Sequence, residues 1–144
     1  MVAFADTGFL ASLYLKESTS AAARTAIQPG PVVLPYTPLV ALELRNSLNR
    51  AVQRGHITAA QRDALWQDVE MDIVGGFLVP TQVASGPLHD KARQLSDRYT
   101  TNLGTRTLDL LHVAAALLLE SKIFFSFDER QRKAAANEGL KVKP

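Results

Sequence analysis

Four carboxylates in this chain stand in apolar surroundings, where an unpartnered negative charge is costly. Asp6 ends the run Val2-Ala3-Phe4-Ala5, and Asp128 follows Ile123-Phe124-Phe125-Ser126-Phe127. Asp109 lies between Leu108 and Leu110, with Val113, Ala116 and Leu117 at i+4, i+7 and i+8, and Glu43 lies between Leu42 and Leu44. Moving an ionised carboxylate from water into such a setting without a partner costs several kcal/mol or more, so something must neutralise each. No lysine or arginine has a sequence-local claim on all four. A magnesium or manganese ion takes oxygen ligands of this kind and keeps some of its own water. One such ion would answer all four costs, and the chemistry it would support is metal-assisted hydrolysis.

Each acid also has a local explanation. Asp6 and Asp128 both precede helical patterns and fit the N-cap position, and Asp128 with Gln131 has the capping-box spacing. Asp109, in a first turn, is favoured by the helix dipole. Glu43 sits well inside a helix at the edge of the stripe Val40, Leu44, Leu48 and, read alone, is an exposed boundary residue. His112, one turn beyond Asp109, reads as a packed core histidine before it reads as catalytic. His56 and His89 are isolated in polar segments, with no serine or acid to form a nucleophilic triad, and Trp66, at helical spacing from Val69, reads as packing rather than as a base-stacking ring. Thr7 and Ser126 flank the first and last acids and are either capping hydroxyls or groups that orient a carboxylate. Asn46, Ser47, Arg50 and Arg54 share a side of the helix with Glu43, and Arg106 precedes Asp109; these could meet a phosphate backbone or simply face solvent. The cluster Arg130, Arg132, Lys133 reads as a solvated helix face.

The elements that must position these groups follow from apolar spacing. Val2–Ala5 is a buried strand feeding a helix that carries Phe9, Leu10, Leu13 and Tyr14. A helix over Thr19–Gln28 ends at Pro29-Gly30-Pro31. A strand at Val32–Leu34 is ended by Pro35. Pro38 starts a helix whose Val40, Leu44, Leu48 and Val52 recur at intervals of four, and Gly55 closes it. Thr58 caps a helix to Glu70, Gly75-Gly76 precedes a strand at Phe77–Val79, and a polar helix spans about Pro87–Tyr99. Leu108–Glu120 is apolar around most of its circumference and must be largely buried. Ile123–Phe127 is the fourth strand, Asp128–Asn137 a terminal helix, and Gly139 its stop. Nearly continuous short apolar runs between helices describe a parallel sheet covered on both faces, so the fold class is α/β. Asp6 and Asp128 then share the rim at the carboxyl ends of the strands.

The chain has 144 residues, 47% of them hydrophobic, enough for the core of one domain, expected to span 1–144. It has no cysteine, which excludes disulfide scaffolds, thiolate zinc sites and cysteine nucleophiles. The apolar stretch from Met1 meets an aspartate at once, without the basic flank of a signal peptide, so a cytoplasmic location is expected. The formal charge of +2 is too small to impose a partner, although a pI of 9.1 leans towards polyanions.

Taken together, the segments Val2-Ala3-Phe4-Ala5-Asp6-Thr7, Leu42-Glu43-Leu44, Leu108-Asp109-Leu110-Leu111-His112-Val113-Ala114-Ala115-Ala116 and Phe125-Ser126-Phe127-Asp128-Glu129-Arg130-Gln131 resemble, in order and separation, the PIN-domain family, and in particular the VapC-type toxin ribonucleases of toxin–antitoxin pairs. Ala134-Ala135-Ala136 with Gly139-Leu140 is similar to the family ending. The resemblance covers nearly the whole chain. It implies a three-layer α/β/α fold with a central parallel sheet, in which Asp6, Glu43, Asp109 and Asp128 converge on one or two Mg2+ or Mn2+ ions. It further implies endonucleolytic cleavage of RNA by in-line attack leaving a 5′-phosphate and a 3′-hydroxyl, a small antitoxin that blocks the site, and a homodimer. Glu129 departs from the variable family pattern after the fourth aspartate and is either an auxiliary acid or an exposed first-turn residue. Specificity is expected from loops such as Pro29–Pro31 and Thr100–Thr105. Three other readings compete: a PIN-like binding module without catalysis, a housekeeping RNA-processing nuclease, and a phosphate-receiving signalling domain. The last would want adjacent acids near the first strand, where Asp6 has Ala5 and Thr7.

Overall fold

The computed structural model describes residues 2–28 and 30–144. Met1 of the opening run and Pro29 of the expected loop lie outside the described residues. The element order is β1 (Ala3–Ala5), α1 (Thr7–Tyr14), α2 (Ser20–Ile27), β2 (Leu34–Tyr36), α3 (Pro38–Gln53), α4 (Ala59–Val74), β3 (Leu78–Pro80), α5 (Ser85–Leu103), α6 (Thr107–Leu118), β4 (Ile123–Phe125), α7 (Glu129–Asn137) and β5 (Lys141–Lys143). All strand pairs are parallel. β1 pairs β4 with Phe4 opposite Phe124, β4 pairs β5, and β2 pairs β3. A Val2–Val33 bridge joins the two sets and gives the order β3-β2-β1-β4-β5. Helices α1 to α4 pack on one another on one side, and α5 to α7 on the other, so the sheet is the middle of three layers.

The aromatic residues show why β1 and β4 read as continuous apolar runs. Successive strand residues face opposite sides, and both sides are covered. Phe4 and Phe124 stack at 6.0 Å, and Phe4 also meets the His112 ring of α6 at 6.1 Å. Phe125 turns the other way, onto Phe9 of α1 at 4.9 Å. All four phenylalanines are fully buried, and burial of one such side chain contributes about 2 kcal/mol or more.

Several expected boundaries move. β2 is Leu34–Tyr36 and contains Pro35, which was expected to end it. The Leu34 amide donates to Phe77 O at 2.9 Å, so donors facing β3 come from alternate residues. The donor that proline lacks would point towards β1, beyond the Val2–Val33 bridge, where no ladder bond is lost. β4 stops at Phe125 because the chain turns after Ser126, whose amide still donates to Lys143 O at 3.0 Å. α5 starts at Ser85 with Pro87 inside its first turn, where the missing amide is unneeded. It runs to Leu103 and ends on Gly104 at φ 66, so most of the expected 100–105 loop is helix. α4 continues to Val74, and α6 ends at Leu118 with Glu120 at φ 55. No helix among the described residues is long and apolar enough to cross a membrane.

Candidate functional site

The site lies where β1 and β4 hand over to helices. Asp6 leaves β1 in extended conformation and caps α1: its Oδ1 accepts from the Phe9 amide at 2.7 Å. Its Oδ2 accepts from Ser126 Oγ at 2.5 Å, a contact between residues 120 apart in sequence. Asp6 is only 3% exposed. Burial pushes its carboxyl above the ordinary carboxylate value, and the Asp128 charge pushes the same way. The hydrogen bonds from Ser126 and Phe9 and the attraction of His112 only partly offset this.

Ser126, fully buried at the end of β4, serves both sides of the rim. While donating to Asp6 it accepts from the Asp128 amide at 3.0 Å. Asp128 caps α7 by accepting from the Gln131 amide on Oδ1 at 2.9 Å. The Gln131 side chain does not complete the capping box. With the Asp128 amide already taken, its Nε2 reaches across to Asp109 Oδ1 at 3.0 Å. Asp109 Oδ2 accepts from the Arg106 amide at 3.2 Å, and the Arg106 guanidinium lies 3.7 Å from Asp109 and 4.0 Å from Asp128. A single hydrogen-bonded path therefore runs Asp6, Ser126, Asp128, Gln131, Asp109.

Glu43 joins from α3 through the residue beside Asp6. Its Oε1 accepts from Thr7 Oγ1 at 3.0 Å and lies 2.5 Å from His112 Nε2. Burial alone would raise the Glu43 carboxyl, but the hydrogen bond and charge of His112, with the Thr7 hydroxyl, outweigh it and hold the group below its usual value. Thr7 and His112 are thus buried partners of an acid rather than a bare cap and a bare core ring.

Among the described residues no three Asp, Glu or His side chains converge closely enough to ligate one ion as they stand. Most of the acid oxygens are turned onto protein donors instead. The donor chemistry nonetheless fits a hard divalent cation. The oxygens are carboxylates along one rim, Asp6 is buried against its electrostatic preference, and a cationic guanidinium already lies between Asp109 and Asp128.

The remaining candidates divide. Ser47, Arg50, Arg54 and His56 line a groove with Gly8, two residues beyond Asp6, and Asn46 is exposed on the same helix. Arg132, assigned to a solvated face by sequence, instead donates to Ser126 O at 2.8 Å and to Pro144 O at 2.9 Å, fixing the backbone under the rim. Glu129 is exposed and lies 3.8 Å from Arg132. Trp66 packs as expected, with Arg45 of α3 stacked over it at 4.4 Å. The cross-element roles of Gln131 and Arg132 carried no local signal, since each is an ordinary polar residue on an exposed-looking helix.

The PIN-domain family model matches residues 3–137. Comparison with curated proteins gives no match in sequence. Among solved structures, the chain is similar to VapC20 of Mycobacterium tuberculosis, described as a sarcin–ricin loop cleaving toxin, with 19% identity, TM-score 0.70 and 99% of each chain covered. It is also similar to FitAcB of Neisseria gonorrhoeae, with 16% identity, TM-score 0.64, and 99% of this chain and 96% of that chain covered.

Proposed function

The chain belongs to the PIN-domain family, and from that premise we propose that it is a divalent-metal-dependent endoribonuclease, the toxin component of a VapBC-type toxin–antitoxin pair, working as one domain over residues 1–144. The observation that carries this reading is the linked rim of Asp6, Asp128 and Asp109, with Glu43 anchored beside it by Thr7 and His112. The likeness to VapC20, a sarcin–ricin loop cleaving toxin, supports the choice of substrate.

In this proposal Asp6, Glu43, Asp109 and Asp128 hold one or two Mg2+ or Mn2+ ions. When bound, such an ion supplies positive charge at the scissile phosphate and makes water a competent nucleophile near neutral pH. The chain's own residues do the rest. Ser126 fixes the Asp6 oxygen that faces the Asp128 side of the rim, and Arg106 brings a cation to the same edge. Glu43, kept ionised by His112 and Thr7, accepts hydrogen bonds from the attacking water or stands as a further ligand. Arg50 and Arg54 lie in a groove that starts beside Asp6 and take the phosphates flanking the cut. In-line attack leaves a 5′-phosphate and a 3′-hydroxyl. A small antitoxin that covers the rim, a homodimer and a cytoplasmic location belong to the same proposal.

The test is cleavage of structured RNA by purified protein with Mg2+ or Mn2+, with EDTA, and with Asp6→Asn or Asp109→Asn. Metal-dependent cleavage lost in both variants supports the reading. Absent cleavage by wild type, with tight binding to the protein encoded next to it, would instead favour a binding module, and cleavage that persists in EDTA would overturn the metal dependence.

A further inference from the structure

Gln131 lies at the third position of α7, where a glutamine after an N-cap aspartate would ordinarily fold back on the cap. It does not. The Asp128 amide is satisfied by Ser126 Oγ at 3.0 Å, and the Gln131 side chain is directed into the protein, 6% exposed. There its Nε2 donates to Asp109 Oδ1 at 3.0 Å, while its own backbone amide donates to Asp128 Oδ1 at 2.9 Å. One residue thus grips an oxygen of each of two acids that come from different elements, α6 and the β4–α7 turn. The other end of the amide, Oε1, is buried and has no hydrogen-bond partner. A buried acceptor without a partner is costly. A methionine or leucine would fill the same space without that cost, so packing does not explain an amide here. The donor to Asp109 does.

We propose that Gln131 is a positioning residue: its carboxamide and backbone amide together set the spacing and facing of Asp109 and Asp128, leaving the second oxygen of each carboxylate turned to the edge that Arg106 spans. This rests on the metal-dependent reading above and deepens it, because it assigns the pairing of two ligands to a residue that touches neither substrate nor ion. Partners that orient metal-binding side chains typically affect metal affinity or activity by about 10- to 100-fold.

The experiment is titration of the full chain with Mn2+, read by the loss of the free-ion paramagnetic resonance signal, for wild type, Gln131→Met and Gln131→Asn. Methionine keeps the volume and removes the donor, and asparagine keeps an amide one methylene short of Asp109. Both are expected to weaken Mn2+ binding about 10- to 100-fold and to lower kcat with little change in KM, while the melting temperature in EDTA stays close to wild type for Gln131→Met. In an Asp109→Asn background, Gln131→Met is expected to add nothing further, because the carboxylate it positions is gone. Unchanged Mn2+ affinity in both variants, or full multiplication of the two effects in the double variant, overturns the inference while leaving the nuclease reading standing. Wild-type protein that binds no Mn2+ overturns that reading and the inference with it.

Discussion

His112 Nε2 lies 2.5 Å from Glu43 Oε1, joining the middle of α6 to the middle of α3 across 69 residues of sequence. The pair depresses the Glu43 carboxyl in spite of its burial. A carboxyl whose folded value lies below its unfolded one contributes stability above the unfolded value, here about 4.5, and loses it as pH falls through the lower folded value. His112→Phe keeps the ring volume and removes the donor. In that variant the loss of stability on acidification attributable to Glu43 is expected to shrink, and RNA cleavage to fall about 10- to 100-fold. Acid titration of unfolding, with cleavage rates alongside, checks both; unchanged rates would remove Glu43 positioning from the account.

Asp6 has the opposite sign. Burial raises its carboxyl above the ordinary 3.8, so the folded state holds that proton more tightly than the unfolded chain. Stability from this group is fully present below the unfolded value and is lost as pH rises through the folded one, so the ionised carboxylate is the form its surroundings disfavour. Asp6→Asn removes that charge while its Oδ1 can still cap α1. In EDTA at neutral pH the variant is expected to melt higher than wild type, by about 3 °C if the gain is near 1 kcal/mol. The difference should close as pH approaches 4, and the variant should have no cleavage activity. A lower melting point at neutral pH would show that the charged form is stabilised rather than tolerated.

What could be read in the sequence was whatever one element decides alone. The β1 and β4 runs were legible because Phe4, Phe124 and Phe125 are buried on both sheet faces and no polar residue interrupts them. The capping positions of Asp6 and Asp128 were legible because they depend on residues three positions on. β2 was misplaced because Pro35 signals an end to a strand, and only the position of its missing donor relative to β1 makes it harmless. Gln131 was misread for a related reason. Its spacing fits the capping box, and nothing local reveals that Ser126 has already satisfied the cap, freeing the amide for Asp109. The expectation that the acids share one site came from resemblance over the whole chain rather than from any one of these signals, and the structure links Asp6, Asp128 and Asp109 through Ser126 and Gln131 without closing them on one point.

Glu120 adopts φ 55 just after α6, a conformation costly for a residue with a Cβ. Its amide donates to Leu117 O at 3.0 Å, so the turn itself is in place and only the residue type is strained. Glu120→Gly is expected to stabilise the fold by about 1 kcal/mol, the relief of strain outweighing the added freedom of the unfolded chain. Equilibrium urea unfolding reads this as a higher midpoint at unchanged slope. Cleavage should be unaffected, since Glu120 lies at the opposite end of α6 from Asp109.

Arg50 and Arg54 share the groove beside Gly8 with Ser47 and His56, about two and three turns beyond Glu43, Arg50 in α3 and Arg54 at its C-cap. If they meet RNA phosphates, their contribution is electrostatic and independent of sequence. Each lost contact to a single-stranded backbone should reduce the slope of log affinity against log salt by about 0.7. Measured in an Asp6→Asn background, which binds without cutting, Arg50→Ala with Arg54→Ala should therefore flatten that slope by about 1.4 and weaken binding to all RNAs alike. In the otherwise wild-type protein the same pair should raise KM far more than it lowers kcat, because phosphates away from the cut bind equally before and during the reaction. A fall in kcat with an unchanged salt slope would place these arginines at the reacting phosphate instead of along the strand.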